Sequence, residues 1–109
     1  MLIDFNKMEA KVIPNFKGGE KEFSVKMFED SSNKIMRAKL IPGASIGLHT
    51  HIEDCEIVYI LEGEGTMVYE NNIELLPKGS CHYCPKGKGH SLINKGNTDL
   101  EFIAIVSKN

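Results

Sequence analysis

The stretch GASIGLHTHIEDCEIVYILEG, Gly43 to Gly63, decides how the rest of the chain is read. It holds two of the four histidines, His49 and His51, as a His-x-His pair. Side chains on an extended strand alternate with period two, so both imidazoles point to one face and can reach one ion. Glu56 follows after the connection Ile52 to Cys55, long enough to turn the chain and present a carboxylate from the next strand. Taken alone, such a pair is more often two surface or half-buried histidines, so its weight depends on what surrounds it.

A second stretch, CHYCPKGKGH from Cys81 to His90, admits two readings. Cys81-x-x-Cys84 with His82 and His90 nearby suggests a zinc knuckle or a dithiol redox site. On a strand from Ser80 to Cys84, however, the two cysteines point to opposite faces and cannot easily share an ion or form a disulfide. The helix and βαβ setting of a thioredoxin-type motif is also absent.

The glycines and prolines carry more. From Gly43 the spacing is five residues, His49-Thr50-His51, four residues, Glu56, six residues, Gly63. Fifteen residues later it is Gly79, five residues, Pro85-Lys86-Gly87, two residues, His90, three residues, Asn94. Together these resemble the two motifs of the cupin superfamily, with every fixed position occupied. The segments GASIGLHTH and GNTDLEFIAIV are also similar to small bacterial cupins of an oxalate-decarboxylase-like subgroup, a resemblance that bears on fold more than on chemistry.

The resemblance implies an all-β fold, a double-stranded β-helix or jelly-roll barrel closed around a cavity. It also implies one divalent transition metal held by His49, His51, Glu56 and His90. Three imidazoles and a carboxylate leave open positions on an octahedral ion, a catalytic rather than a closed structural arrangement. The donor set admits manganese, iron, cobalt, nickel, copper or zinc. Gly43, Gly63, Gly79, Gly87 and Pro85 are read as turn and strand-end residues, and Asn94 as a loop tie through its amide.

Short runs of β-formers between turn signals support the same class, and helical periodicity is nearly absent. Strands are expected near Phe23 to Glu29, Lys34 to Ile41, Glu56 to Glu62, Gly65 to Glu70, Ile73 to Leu75, Ser80 to Cys84, His90 to Asn94 and Leu100 to Ser107. Pro42-Gly43 suits a type II turn, Asn71-Asn72 a tight hairpin, and Pro77-Lys78-Gly79 a type I turn. Phe102, Ala104 and Val106 alternate with Ile103 and Ile105, so the last strand reads as buried on both sides. At 109 residues the chain is a single domain. Residues 23–109 are expected to form the barrel, and residues 1–22 an N-terminal arm with a short helix near Phe5 to Val12, packed on the barrel or on a partner.

Within the barrel, Tyr59, Tyr69, Met36 and Met67 are candidate pocket residues, although core packing is the commoner role for such side chains. Parity alone leaves open whether Cys81 and Tyr83 or His82 and Cys84 face the cavity. A half-exposed strand position is the expectation for His82, with a place behind the metal ligands or a hydrogen bond to substrate as alternatives, and buried packing for Cys55. Arg37 and Lys39 share one strand face, read as solvent-facing.

A net charge of −2 with scattered lysines gives no electrostatic case for nucleic acid or an anionic membrane. The longest apolar runs are far short of a membrane span, and MLIDFNKMEA carries charges where a signal peptide needs an apolar core. Three cysteines, an odd number, fit reduced thiols, so a cytoplasmic location is expected. An open sheet edge needs covering, and small cupins commonly pair, so a homodimer is expected.

Three kinds of function stay open: a metalloenzyme acting on a small oxygen-rich molecule, a non-catalytic module that binds or senses a small molecule or metal, or a metal-dependent storage or structural protein. Among enzymes, decarboxylases and isomerases are possible and dioxygen chemistry is slightly preferred, because it asks for fewer protein groups. An oxalate-type decarboxylase needs an acid over the metal, and Glu53, Asp54 and Glu62 fall where loops and turns are expected.

Overall fold

Ten strands in two antiparallel sheets make up the fold, as described for residues 1–108 by a computed structural model. Asn109, which the sequence assigns to the barrel, lies outside the described residues. The strands are β1 (Lys11–Pro14), β2 (Glu22–Glu29), β3 (Asn33–Leu40), β4 (His49–Thr50), β5 (Cys55–Glu62), β6 (Gly65–Tyr69), β7 (Asn72–Leu76), β8 (Cys81–Cys84), β9 (Gly89–Ile93) and β10 (Leu100–Ser107). One sheet has the order β1-β2-β3-β10-β5-β8 and the other β4-β9-β6-β7, which makes the expected jelly roll. No helix among the described residues is long and apolar enough to cross a membrane.

Alternation along each strand builds the core between the sheets. Val58 and Ile60 of β5, Ala38 and Leu40 of β3, and Phe102 and Ala104 of β10 face inward and are buried. They meet Met67 and Leu92 from the opposite sheet in one apolar cluster. The residues between them face outward. Ile57, Tyr59 and Tyr83 are exposed on the outer face, with Ile103 and Ile105 half-buried beside them. The last strand is therefore buried on its inner face at Leu100, Phe102 and Ala104, half-buried there at Val106, and only partly covered on its outer face.

Two turns differ from the sequence expectation. The β6–β7 hairpin places its positive φ angles at Glu70 (46°) and Asn71 (67°), one residue earlier than Asn71-Asn72. At Pro77 to Ser80 the amide of Ser80 donates to the Pro77 carbonyl (3.0 Å), and φ is +88° at Gly79. That angle at the third turn position belongs to a type II turn, not type I, and it favours glycine there. Pro42-Gly43 forms the type II turn expected, with φ of +85° at Gly43 and the Ala44 amide bonded to the Ile41 carbonyl (2.9 Å).

The N-terminal segment differs as well. Instead of a helix over Phe5 to Val12 there is a 3-10 turn, Phe5–Lys7, capped by the Asp4 side chain on the Asn6 amide (3.0 Å), followed by β1. β1 pairs with β2 at the sheet edge and ends in Pro14, a residue tolerated in a sheet at an edge because it lacks an amide donor. Phe16 from the following turn stacks on Phe23 with centroids 4.7 Å apart. Its carbonyl accepts from the Gly47 amide (3.0 Å), which ties this segment to the loop leading into β4. Gly47 is needed for that approach, since a Cβ there would run into the Lys17 carbonyl.

Candidate metal centre

Both sheets contribute to one cluster of side chains. β4 supplies His49, the residue just beyond it is His51, and β9 supplies His90, directly opposite His49 across the β4–β9 pair. Glu56 comes from β5 in the other sheet. His51 is fixed by its backbone: its amide donates to the Lys88 carbonyl (2.9 Å), and its carbonyl accepts from the Gly87 amide at the turn before β9. The connection 52–54 then carries the chain across to β5.

The side chains converge on a few ångströms of space. The Glu56 Oε1 atom lies 2.7 Å from His90 Nε2, 3.1 Å from His51 Nε2 and 3.9 Å from His49 Nε2. The Nε2 atoms of His51 and His90 are 3.0 Å apart. These four residues form a group whose donor atoms could hold one metal ion.

What lies behind each imidazole decides where its proton sits. A carbonyl oxygen can only accept, so His49 donates Nδ1–H to the Gly47 carbonyl (2.8 Å). His51 donates Nδ1–H to Asp54 Oδ1 (2.6 Å). His90 Nδ1 lies 3.0 Å from His82 Nε2, and His82 Nδ1 lies 2.7 Å from Glu74 Oε1. With His82 donating to the Glu74 carboxylate, its Nε2 becomes the acceptor for His90 Nδ1–H. All three converging Nε2 atoms then present lone pairs to each other and to a carboxylate oxygen. That arrangement repels itself unless a cation lies among the four donors, and each ring is backed as metal-ligating histidines are, by a carbonyl, a carboxylate or another ring. The residues present fit a divalent transition ion.

Protons are the competing cation, and the titration behaviour reflects it. The Glu56 carboxylate lifts His51 above its ordinary value against the opposing effect of burial, and Asp54 lifts it further. Burial, helped by the neighbouring His49 and His51, pulls His90 below its ordinary value against the upward pull of Glu56. For Glu56 itself burial acts upward, but hydrogen bonds with the imidazoles facing it prevail and hold it well below the usual carboxylate range.

His82 is the residue the sequence placed least well. It is 3% exposed, not half-exposed, because β8 turns His82 and Cys84 inward and leaves Cys81 and Tyr83 outside. Register explains this: His82 pairs with Val58 of β5, which faces the core. Its ring stacks beside His90, with Tyr69 edge-on at 5.3 Å. His82, Cys84 and His90 also come close enough to hold an ion. Burial, however, pushes the Cys84 thiol up to about 11, and two ring nitrogens of this group, His82 Nε2 and His90 Nδ1, are already bonded to each other at 3.0 Å. Cys81 and Cys84 face opposite sides, and Cys55 is half-buried.

A cavity of about 560 Å³ opens from the cluster between the sheets. His49, His51 and Glu56 form one side, and Met36 belongs to its wall. The other pocket candidates lie elsewhere. Tyr59 and Tyr83 are 44% and 57% exposed on the outer face, where alternation from Val58 and His82 puts them. Met67 is fully buried in the core, and Tyr69 packs on His82 instead of on the cavity. Of the acidic residues, Asp54 is held by His51 and Glu62 by Lys78 (2.9 Å) on the surface, while Glu53 lines the cavity mouth. Arg37, on the outer side of β3, lies 3.4 Å from Glu101. Asn94 is 1% exposed and ties its loop, donating to the carbonyls of Leu40 (2.8 Å) and Thr98 (2.9 Å) and accepting from the Gly96 amide (3.0 Å).

Comparison with known proteins gives a consistent picture. The family model for the cupin domain matches residues 36–106. An oxalate-binding protein of Thermotoga maritima is 36% identical over 114 residues, covering 97% of this chain and 93% of its own length. The crystal structure of a predicted oxalate decarboxylase from Thermotoga maritima superposes with a TM-score of 0.94 over the whole of both chains, at 32% identity. The polyketide cyclase RemF of Streptomyces resistomycificus shares the fold alone, with a TM-score of 0.82 at 18% identity over 100% of this chain and 80% of its own.

Proposed function

Because the chain belongs to the cupin domain family, we propose that it holds one divalent transition ion on His49, His51, Glu56 and His90. That ion would bind a small oxygen-rich molecule at the head of the cavity. The observation that carries this reading is the inward convergence of three imidazole Nε2 atoms on one Glu56 oxygen, each ring fixed from behind by a hydrogen bond through Nδ1. Bound there, the metal supplies Lewis acidity or redox chemistry at a substrate oxygen.

The chain's own residues have separable tasks. Gly47, Asp54 and His82 hold the ring tautomers, Glu56 contributes the single negative charge among the four donors, and the sheets keep bulk water from the far side of the cluster. We prefer an enzyme with dioxygenase-like chemistry, which makes the fewest demands on side chains beyond the four donors. A decarboxylase would draw its acid from Glu53, since Asp54 and Glu62 are engaged.

A second reading, a non-catalytic binding module, is favoured by the name of the Thermotoga maritima relative, which describes binding and not turnover. Oxygen consumption by metal-reconstituted protein, screened across small acids, diols and polyphenols, separates the two. Turnover supports the enzyme; saturable thermal stabilisation without turnover supports the binding module. The exposed apolar residues Ile57, Tyr59 and Tyr83 on the outer sheet face support a homodimer. The cytoplasm is the proposed compartment, on the strength of the three free cysteines.

A further inference from the structure

The relatives named for oxalate suggest a two-carbon dianion as ligand, and the cavity of this chain is built for something else. We propose that the site takes a monoanionic oxygen chelator carrying an apolar body about the size of an aromatic ring. This rests on the metal-site reading above and goes further by specifying the rest of the ligand.

Size and wall chemistry give the first reason. A volume of about 560 Å³ falls in the range of sites that enclose whole small molecules. A dicarboxylate of two carbons would occupy a small part of it. Beyond the histidines and Glu56, the buried wall is Phe23, Val25, Met36, Ile46, Phe102 and Ala104. None of these offers a hydrogen bond to a second carboxylate, and all reward apolar surface.

Charge gives the second reason, and it is independent of the first. A divalent ion with ionised Glu56 leaves one net positive charge at the head of the cavity. A monoanion neutralises it. A dianion would leave an excess negative charge near the half-buried Asp54, which also lines the cavity and already accepts from His51. Its lining contains no arginine, and its lysines are exposed: Lys34 lies 3.8 Å from Glu29, and Lys17 sits over the Phe16 ring at 5.6 Å. Neither marks a buried cationic subsite for a second carboxylate.

The test compares probes that share one head and differ in body. Protein loaded with Co²⁺ is titrated calorimetrically with acetohydroxamate, benzohydroxamate and oxalate, after elemental analysis has verified that cobalt is retained. Both hydroxamates chelate as monoanions through the same two oxygens, and only one carries a ring. Burying that ring is expected to make benzohydroxamate bind about tenfold or more tighter than acetohydroxamate. Oxalate is expected to bind more weakly than benzohydroxamate. In Met36→Gln the gap between the hydroxamates should narrow, because a polar group then faces the ring. A smaller gap in the unaltered protein, or oxalate binding more tightly than benzohydroxamate, overturns the ligand class and leaves the metal site standing. Failure to retain cobalt overturns both.

Discussion

Replacing His82 by Leu tests whether the residues behind the candidate ligands matter. The substitution keeps roughly the volume of a side chain that is 3% exposed and removes both of its nitrogens. His90 Nδ1–H, 3.0 Å from His82 Nε2, then loses its acceptor in a buried position. Stranding such a donor costs about 1–3 kcal/mol, which the metal-free protein should show as lost stability. His90 can recover part of this by moving its proton to Nε2, toward Glu56, but that tautomer must be undone before an ion binds. Loss of a partner behind a ligating histidine typically weakens metal binding by about 10–100-fold, or about 1.4–2.7 kcal/mol.

Competition for Co²⁺ against a chromophoric chelator reads the affinity, and thermal melts of the metal-free variant read the stability separately. His82→Gln should recover much of the affinity, because its amide oxygen can accept from His90. Glu74→Ala should have a smaller effect, since the Glu74 side chain is 41% exposed and water can replace it. An affinity of His82→Leu indistinguishable from that of the unaltered protein would refute the tautomer argument. A loss as complete as that of His90→Ala would make His82 a ligand and refute the assignment.

Other consequences are open to direct measurement. Metal affinity should weaken as pH falls, because protons and metal compete for the same nitrogens; Glu56 raises His51 from its ordinary value, so the apparent affinity read by equilibrium dialysis at several metal concentrations should already be falling as pH drops through the histidine range. For the metal-free fold, Glu56 is depressed below its ordinary 4.5, so its contribution is present above that value and is lost as pH falls through the folded one. Glu56→Gln should therefore flatten the acid limb of a Tm-against-pH curve. Asn94→Ala strands the Gly96 amide and two carbonyls and should cost at least about 1–3 kcal/mol in denaturant unfolding, with the metal site intact. If the outer face is a homodimer interface, Tyr83→Glu should shift the mass by light scattering toward the monomer; an unchanged mass would remove that face as the interface.

Much of this architecture was legible because alternation and turn chemistry are local. Eight of the strands follow from β-formers between turn residues, and the His-x-His spacing puts two imidazoles on one face without reference to the rest of the chain. β4 was not legible as a strand, since its two residues, His49–Thr50, are defined by pairing with β9. β1 is not legible either, because Pro14 and the neighbouring Gly18-Gly19 argue against a strand, and only its edge position makes the proline tolerable. His82 shows a deeper limit. Period two tells that His82 and Tyr83 face opposite ways, but which of them looks inward depends on the register of β8 against β5, a contact between segments more than twenty residues apart. One signal was available: Val58 and Ile60 share parity with Glu56, so β5 has a definite inner face. Without the register, that could not be carried across to β8. The backing residues Asp54 and Glu74 were invisible as such for the same reason.

Elemental analysis of protein purified without added metal, and again after reconstitution at neutral pH, tests the central claim most directly. The convergence of His49, His51, Glu56 and His90 predicts close to one transition ion per chain, with most of it lost in His51→Ala and in His90→Ala. No bound ion under either condition, or retention of a full equivalent in both variants, would contradict it.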